Sequence, residues 1–274
     1  MTAGSVERRR CGVLGSPISH SLSPVLHRAG YRHLGLDWSY TAHEVRDNEL
    51  AGFVAVLDHS WRGLSLTMPL KRAALGVASR VSELAHLVGA ANTLVRDDDG
   101  TWSADNTDVP GMVAAMEQHG AVRAWSACLW GGGATAASAV AALARLGATA
   151  VHLHVRDAGR ANGPLTVAHR VGLVVGVLPW QVVTDCGAAD VVVSTVPAGA
   201  ADSLAEPLAE AAESRRLLFD VVYDPWPTAL ASAWEKGGGT VASGLDLLVH
   251  QAIGQLRLMT GRDVPPRVLY EAVR

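Results

Sequence analysis

The stretch that decides the fold is residues 128–155, CLWGGGATAASAVAALARLGATAVHLHV. A short apolar segment leads through three glycines into an alanine-rich segment and then into a second apolar run. In the middle segment, Ala136, Val140 and Leu143 fall on one helical face. Gly147 follows as a typical helix terminator. The pattern predicts a strand, a glycine turn, a helix and a parallel strand, which together form the β-α-β unit of a Rossmann-like domain.

The glycine turn at the centre of this unit predicts a binding site for the pyrophosphate of a dinucleotide. Glycines let the backbone approach the phosphates, and the N–H groups at the start of the next helix face their negative charge. The turn lacks the full spacing G-x-G-x-x-G, so the prediction depends on the strand and helix around it. The predicted cofactor-binding residues of the turn are Gly131, Gly132, Gly133, Ala134 and Thr135.

Two arginines after the second strand bear on which dinucleotide is bound. Arg156 and Arg160 can hold the 2′-phosphate of an adenosine through forked hydrogen bonds, which favours NADP. Asp157 lies between them, and an acidic residue here more often accepts a hydrogen bond from the ribose hydroxyl of NAD. We predict NADP as the cofactor, with NAD as the alternative.

Hydrophobic patterning extends the α/β organisation over the rest of the chain. Largely apolar runs are typical of parallel strands covered on both faces. The predicted strands are 11–14, 63–67, 190–195, 217–222 and 240–242, with a hairpin over 92–95 and 101–103. The predicted helices include 22–34 and a long amphipathic helix over 245–259.

Composition and charge exclude several classes of function. Hydrophobic residues make up 49% of the 274 residues, enough for a large core, and the net charge is −3. The basic residues form no stripe, so we expect no nucleic-acid partner. No apolar run reaches the roughly 20 residues of a membrane span, so we expect no membrane contact. The cluster Arg8 to Arg10 precedes too short an apolar stretch for a signal peptide.

The cysteines and histidines lead to two further expectations. Cys11, Cys128 and Cys186 are far apart and odd in number, which indicates free thiols in a reducing compartment and hence a cytoplasmic protein. His152 and His154 share one face of a strand without a third ligand, so we expect no metal site.

Four segments outside the β-α-β region contain more uncharged hydrogen-bonding groups than a plain core would need. They are GSPISHSLSP (15–24), SLTMPLK (65–71), GAANT (89–93) and DNTD (105–108). Together with YDP (223–225) and GLDLLVHQA (244–252), in this order around the glycine turn, they resemble the shikimate dehydrogenase family. The resemblance covers almost the whole chain. It implies the reversible, NADPH-dependent reduction of 3-dehydroshikimate to shikimate, a step of aromatic amino acid biosynthesis through chorismate.

The resemblance also implies a division into two α/β domains. Residues 1–108 would form the substrate-binding catalytic domain and 109–242 a Rossmann-like NADP-binding domain, while 243–274 would be a helical segment that returns to the first domain. The active site would lie in the cleft between the domains, at the carboxyl ends of the Rossmann strands. We expect a monomer or a homodimer with a small-molecule substrate.

Lys71 and Asp108 match the catalytic pair of the family. Reducing a ketone requires a proton donor at the oxygen that gains negative charge, and oxidising the alcohol requires the reverse. A Lys–Asp pair can do both when it shares hydrogen bonds with the substrate hydroxyl. We favour Lys71 as the group that moves the proton, with Asp108 holding it in place, although the sequence leaves this order open.

The remaining matched positions are hydrogen-bonding groups for the substrate and one glycine for the cofactor. Ser21 and Ser23 match the pair that holds the substrate carboxylate, and Ser23 also suits a helix N-cap before Pro24. Gly244 matches a glycine near the nicotinamide. The predicted substrate-binding residues are Ser21, Ser23, Ser65, Thr67, Asn92, Tyr223 and Gln251.

Three departures from the family pattern keep alternatives open. Ser65 stands where asparagine is usual and offers one donor instead of two. Ala134 replaces a glycine, and Asp157 brings a negative charge to the phosphate site. A quinate or aminoshikimate dehydrogenase of the same family is therefore one alternative. A non-catalytic sensor of nucleotides or shikimate-like ligands is another, against which the retention of Lys71 and Asp108 argues.

Overall fold

The chain divides into two compact units in the computed structural model, which describes residues 8–121, 123–183, 186, 189–210 and 216–274. The first unit comprises Met1–Thr107 and Val249–Arg274, and the second comprises Asp108–Leu248. Each unit contains a six-stranded sheet with helices connecting its strands. The predicted α/β fold class is therefore confirmed.

The first unit alternates strands and helices. Its strands are β1 (Arg10–Gly15), β2 (Ser39–Glu44), β3 (Trp61–Leu66), β4 (Arg80–Val81), β5 (Thr93–Arg96) and β6 (Trp102–Asp105). Its helices up to residue 107 are α1 (Ser23–His33), α2 (Leu50–Ala55), α3 (Ala74–Val77) and α4 (Glu83–Val88), with a short 3-10 helix at Asp47–Glu49. The strand order is β2-β1-β3-β5-β6-β4, in which β5 pairs antiparallel with β3 and β6 and the other neighbours are parallel.

The second unit is a parallel sheet with connecting helices. Its elements are α5 (Asp108–Gln118), β7 (Ser126–Trp130), α6 (Ala134–Arg145), β8 (Ala150–Val155), α7 (Asn162–Val171), β9 (Val174–Pro179), β10 (Val191–Ser194), α8 (Ala205–Ala209), β11 (Leu217–Asp220), α9 (Ala229–Lys236) and β12 (Thr240–Ser243). Short 3-10 helices lie at Ala158–Ala161 and Asp202–Leu204. The chain ends with α10 (Gly244–Thr260), which begins in this unit and ends in the first, and α11 (Pro266–Ala272).

The strand order of the second sheet places a binding crevice next to the glycine turn. The order is β12-β11-β10-β7-β8-β9, and every neighbouring pair is parallel. The chain therefore runs outward from β7 to β9 and then returns to the other side of β7 to start β10. Between β7 and β10 the connections diverge, and such a switch point opens a crevice at the carboxyl ends of the strands.

The C-terminal part of α10 packs on the first sheet. The guanidinium of Arg62 donates a hydrogen bond to the carbonyl oxygen of Met259 at 3.1 Å. The side-chain amide of Gln255 donates to Thr93 Oγ1 at 3.2 Å. These bonds bring a segment distant in sequence against β3 and β5. Among the helices that the structure describes, none has the length and apolar character needed to cross a bilayer.

Three strands that hydrophobic patterning did not predict, β2, β4 and β9, lie at sheet edges. β2 and β4 are the two edge strands of the first sheet, β9 is one edge strand of the second, and most of their residues are exposed or half-buried. β2 is mostly polar and β4 has only two residues, so neither shows the continuous apolar run of a central parallel strand, whereas β9 has such a run in VVGVLP. The strands that were predicted, such as β10 and β11, are buried throughout.

The cysteine expectation is wrong for two of the three residues. Cys128 in β7 and Cys186 form a disulfide, and both side chains are fully buried. Cys11 is a free, buried thiol. A separation of 58 residues hides this pairing from any local sequence pattern, because only the fold brings the two positions together. The inference of a reducing compartment from unpaired thiols therefore loses its basis.

His27 in α1 is a buried histidine of the first core. Its ring stacks on Tyr40 with the ring centroids 4.1 Å apart, and its Nδ1 donates to the carbonyl oxygen of Ser23 at 2.9 Å. Burial lowers the pKa of His27 from 6.5 to about 4, because the charged imidazole would lose its hydration. The folded protein therefore holds this residue neutral.

We predict that His27 makes the protein less stable as the pH falls from 6.5 to 4. In this window the unfolded chain binds the proton and the folded chain does not, so acidification favours unfolding. The free energy of unfolding should fall by roughly 1 kcal/mol for each pH unit from this residue alone. Chemical denaturation at several pH values measures the slope.

A His27→Phe variant should show a shallower slope in the same window. The matched control is His33→Gln at the exposed end of the same helix, which should keep the wild-type slope. Equal slopes for wild type and His27→Phe would show that His27 is not held neutral.

Candidate functional site

The polar segments of the first unit meet through backbone hydrogen bonds. The N–H of Ser16 donates to the carbonyl oxygen of Met68 at 2.9 Å, which joins the first segment to the second. The N–H of Ala91 donates to the carbonyl oxygen of Lys71 at 2.7 Å, which joins the third segment to the second. The N–H of Asn92 donates to the carbonyl oxygen of Asp105 at 3.1 Å. Four segments far apart in sequence thus form one polar site.

Asn92 is the hub of this site. Its side chain is 2% exposed, and its amide nitrogen donates to Thr107 Oγ1 at 2.9 Å and to Gln251 Oε1 at 3.3 Å. Its amide oxygen accepts hydrogen bonds from the N–H of Thr107 at 2.8 Å and from Thr93 Oγ1 at 2.9 Å. A buried amide needs such partners, so Asn92 fixes the positions of its neighbours. Two predicted site residues, Asn92 and Gln251, are thereby brought together.

Ser21 and Ser23 lie at the start of α1. The helix begins at Ser23 with Leu22 as its N-cap, so the alternative that Ser23 serves as the N-cap is wrong. Ser21 Oγ accepts a hydrogen bond from the N–H of Ser23 at 3.3 Å. Ser23 is 5% exposed and Ser21 is half-buried. The structure thus places both hydroxyls at a helix N-terminus, where the positive end of the helix dipole favours an anion.

Ser65 is held in a buried hydrogen-bond network. It is 3% exposed, accepts a hydrogen bond from the Tyr40 hydroxyl at 2.5 Å and donates to Gln255 Oε1 at 2.8 Å. The hydroxyl has one hydrogen, and that hydrogen is directed at Gln255. The amide of Gln255 in turn donates to the carbonyl oxygen of Asn92 at 3.1 Å. Ser65 therefore helps to position Asn92 indirectly, through the side chain of Gln255.

The predicted catalytic residues lie at the ends of two different segments. Lys71 is half-buried and follows β3 by a short turn, and Thr67 in the same turn is half-buried as well. Asp108 is 3% exposed, follows Thr107 directly and is the first residue of α5. It is counted in the second unit and Lys71 in the first. The pairing of Lys71 with Asp108 stays a prediction.

In the second unit, the glycine turn depends on the absence of two side chains. Gly131 has φ +122°, and a Cβ built there would lie 2.2 Å from Thr195 Oγ1. A Cβ on Gly132 would lie 2.4 Å from the carbonyl oxygen of Arg160. Gly133 is the N-cap of α6, and a Cβ there would meet no atom within 4 Å. The predicted strand, turn and helix are confirmed, with Ala134 as the first residue of the helix.

A pocket lies beside this turn. It is lined by Gly131, Gly132, Val155, Arg156, Arg160, Trp180, Val196, Pro197 and Ala200. The guanidinium carbon of Arg156 lies 4.5 Å from the centre of the Trp180 ring, within the range of a cation–π contact. Arg156 also donates to the carbonyl oxygen of Ala200 at 3.0 Å. Both predicted arginines thus border one pocket with the glycines.

Sequence reasoning missed one wall of this pocket. Trp180, Val196, Pro197 and Ala200 follow the carboxyl ends of β9 and β10, where a switch-point ligand is expected. The apolar run before Trp180, VVGVLP over 174–179, was a usable signal for a strand that ends at the pocket.

Asp157 has a structural role that the sequence did not reveal. Its carboxylate accepts a hydrogen bond from the N–H of Gly159 at 2.9 Å and caps the 3-10 helix Ala158–Ala161. Asp and Asn are favoured at such caps. This capping role explains an aspartate at residue 157 without any contact to the ribose of NAD. Its negative charge nevertheless lies between Arg156 and Arg160 in the sequence.

Tyr223 and Gly244 lie after β11 and β12. Tyr223 is half-buried, and desolvation followed by the nearby Asp224 raises the pKa of its hydroxyl. A Cβ on Gly244 would lie 2.1 Å from the carbonyl oxygen of Val221, and the N–H of Gly244 donates to the carbonyl oxygen of Val222 at 3.1 Å. Only glycine lets α10 start this close to the end of β11.

The fold and these two sites define a two-domain α/β protein of the dinucleotide-binding class. Two family models match the chain: the shikimate dehydrogenase substrate binding domain over residues 13–94, and the shikimate 5′-dehydrogenase C-terminal domain over residues 244–274. A relative from Oleidesulfovibrio alaskensis, named shikimate dehydrogenase (NADP(+)), is 36% identical over 97% of this chain and 94% of its own length.

Solved structures give the same result. The shikimate dehydrogenase of Mycobacterium tuberculosis is 42% identical, with a TM-score of 0.88 over 97% of this chain and 98% of that one. The enzyme of Thermus thermophilus, solved with NADP(H) and shikimate, is 32% identical, with a TM-score of 0.85 over 97% and 98%. The chain belongs to the shikimate dehydrogenase family.

We predict that Gly131→Ala disrupts the turn while Gly133→Ala is tolerated. The first change forces a methyl group against Thr195 at a φ that favours glycine, and should lower the free energy of unfolding by about 1–3 kcal/mol. The second adds a methyl group in open space and should cost at most about 1 kcal/mol. Chemical denaturation of both variants tests this, and similar values would show that the turn tolerates a side chain at residue 131.

Proposed function

We propose that this protein is an NADP-dependent shikimate dehydrogenase, which reversibly reduces 3-dehydroshikimate to shikimate in aromatic amino acid biosynthesis. The observation that carries the proposal is the polar site around Asn92 and Gln251 in a chain of this family. The segments that form this site also contain Lys71 and Asp108. A substrate with several ring hydroxyls needs such a site, because buried hydrogen-bonding groups reject analogues that leave them unpaired.

The proposed substrate contacts follow from the chemistry of each side chain. The hydroxyls of Ser21 and Ser23 donate to the substrate carboxylate at the N-terminus of α1. Thr67, Asn92 and Gln251 bind the ring hydroxyls. Ser65 acts through Gln255 and the hub, as its hydrogen is already directed to that amide. Tyr223 lines the substrate side of the cofactor.

Lys71 and Asp108 are proposed to handle the proton. When bound, the nicotinamide supplies or accepts the hydride. Lys71 donates a proton to the ketone oxygen as negative charge develops there, and it takes the proton back in the reverse reaction. Asp108 accepts a hydrogen bond from the Lys71 ammonium and from the substrate hydroxyl, which keeps both groups oriented.

The residues that line the pocket of the second unit have the chemistry of a dinucleotide site. Gly131 and Gly132 leave no side chain between the backbone and the pyrophosphate, and the N-terminus of α6 with Ala134 and Thr135 offers N–H groups to it. Arg156 and Arg160 border the same pocket and can pair with a 2′-phosphate, which favours NADP over NAD. Gly244 lies near the nicotinamide.

Two further features are part of the proposal. A cytoplasmic location fits a reaction that draws on NADPH and has a small polar substrate. The chain acts as a monomer or a homodimer.

Nicotinamide absorbance measured with purified protein, shikimate or quinate, and NADP or NAD tests the proposal. Fast turnover with shikimate and NADP, and slow turnover in the other combinations, is the expected result. Preference for quinate or for NAD would indicate the quinate dehydrogenase activity instead. No turnover in any combination would contradict an enzyme acting on these substrates.

We predict that Lys71→Ala lowers kcat by about 10²–10⁴, the usual contribution of a positioned acid–base group. The affinity for NADP should stay unchanged, because Lys71 lies outside the nucleotide pocket. The matched control is Arg72→Ala, which removes the neighbouring, exposed cation and should leave kcat near the wild-type value. Steady-state kinetics of the two variants separate a catalytic lysine from a general effect of charge, and a wild-type kcat for Lys71→Ala would remove it from the role.

We also predict that Asp157→Asn increases the preference for NADP over NAD. Asparagine keeps an oxygen to cap the 3-10 helix but removes the negative charge beside the phosphate site. The ratio of the two dissociation constants should shift by about threefold or more towards NADP at low ionic strength. Isothermal titration measures both constants, and an unchanged ratio would mean that the charge of Asp157 does not reach the 2′-phosphate.

A further inference from the structure

A disulfide and a histidine form a buried cluster behind the nucleotide pocket. Cys128 lies in β7, His154 in β8, and Cys186 in the segment that follows β9. All three side chains are fully buried. The two Sγ atoms and a ring nitrogen of His154 lie within 4.8 Å of one another. The cluster lies wholly in the second unit, and the proposed reaction does not use it.

His154 is oriented to act on Cys186. Its ring stacks on the indole of Trp130, with centroids 4.0 Å apart and planes 8° apart. Its Nδ1 lies 3.4 Å from the carbonyl oxygen of Pro179, to which it donates, and its Nε2 lies 3.4 Å from Cys186 Sγ. With the proton on Nδ1, Nε2 is a proton acceptor for a Cys186 thiol. Loss of the proton to this base gives the Cys186 thiolate, which is the nucleophilic form of the residue.

The cluster is connected to the wall of the pocket by direct contacts. The indole N–H of Trp130, whose ring stacks on His154, donates to the carbonyl oxygen of Trp180 at 3.2 Å. The ring of Trp180 lines the pocket and faces the guanidinium of Arg156. The disulfide itself anchors Cys186, six residues after Trp180, to the central strand β7. Trp180 is therefore joined to the cluster through the hydrogen bond that its carbonyl oxygen accepts from Trp130.

We propose that Cys128, Cys186 and His154 form a redox-active site whose disulfide state holds Trp180 in place for binding the adenosine end of the cofactor. Breaking the bond leaves two thiols that cannot stay at bonding distance in a close-packed core, so Cys186 and the segment carrying Trp180 shift. In the cytoplasmic location proposed above, disulfides are usually catalytic or redox-sensing, which favours a switch over a permanent structural bond. The inference rests on the proposed function, because it takes NADP as the ligand.

The two redox steps balance with simple co-reactants. In oxidation by a peroxide, His154 takes the proton of Cys186, and the thiolate attacks a peroxide oxygen to give a sulfenic acid and water. The thiol of Cys128 then attacks Cys186 Sγ, the S–S bond forms, and a second water leaves. In reduction by a small dithiol, the dithiol becomes a cyclic disulfide and its two hydrogens end on Cys128 and Cys186.

The affinity of the wild-type protein for NADP, measured by isothermal titration in each redox state, tests the proposal. Thiol titration of the denatured protein verifies the state, with one thiol expected for the disulfide form and three for the reduced form. The dissociation constant should rise about fivefold or more on reduction, as is usual for coupled sites, and return on reoxidation with peroxide. Equal constants in the two verified states would overturn the proposal, and so would three thiols after peroxide treatment.

Variants provide the matched controls. Cys128→Ser and Cys186→Ser should each bind NADP as weakly as the reduced wild type and should not respond to reductant. Cys11→Ser, which removes the free thiol of the first unit, should keep the full response. A Cys186→Ser variant that binds as tightly as the disulfide form would contradict the role of the bond.

A cofactor-free measurement separates this inference from the proposed function. If NADP binds neither redox state, the proposed function fails, and near-ultraviolet circular dichroism then decides the redox inference. A change in the tryptophan signal on reduction that is absent in Trp180→Phe supports the coupling between the disulfide and Trp180. Identical spectra of the oxidised and reduced wild type would overturn it.

Discussion

The close packing of the turn after β7 is the constraint on which the second unit depends. Two glycines, Gly131 and Gly132, lie where a Cβ would collide with Thr195 and with the backbone of Arg160. The turn can therefore approach its neighbours only without side chains, and this approach forms the floor of the pocket. The same geometry starts α6 at the edge of the crevice, so its N-terminal N–H groups are available to an anion. One short segment, the glycine turn, therefore both joins β7 to α6 and lines the pocket.

In the first unit a single buried amide has the comparable role. Asn92 joins the third polar segment to Thr107 and to Gln251, so it connects the start of the β5–β6 hairpin to α10. Gln255 links Asn92 to Ser65, because its amide nitrogen donates to the carbonyl oxygen of Asn92 and its amide oxygen accepts a hydrogen bond from the Ser65 hydroxyl. Such a network is satisfied only as a whole, since each missing partner leaves a buried polar group unpaired. The hydrogen bonds that hold the polar site in place are therefore also bonds that stabilise the first unit.

Much of this could be predicted from the sequence, and the rest could not for physical reasons. The glycine turn and the central strands show in the sequence because close approach requires glycine and two-sided burial requires continuous apolar runs. The edge strands β2 and β4 lack that requirement and show no apolar run, while the apolar run of β9 was not predicted as a strand. The Cys128–Cys186 pair and the Trp180 wall arise from contacts across many residues. Asp157 was interpreted as a ligand contact because its capping of Gly159 depends on backbone geometry.

One measurement tests most directly whether the polar site of the first unit and the pocket of the second serve one reaction. It is a crystal structure of the protein with NADP⁺ and shikimate bound. We expect the 2′-phosphate at Arg156, the shikimate carboxylate at Ser21 and Ser23, and the reacting hydroxyl within hydrogen-bond distance of Lys71 and Asp108. Shikimate bound away from Lys71, or a nucleotide bound away from Gly131, would contradict this account of the chain.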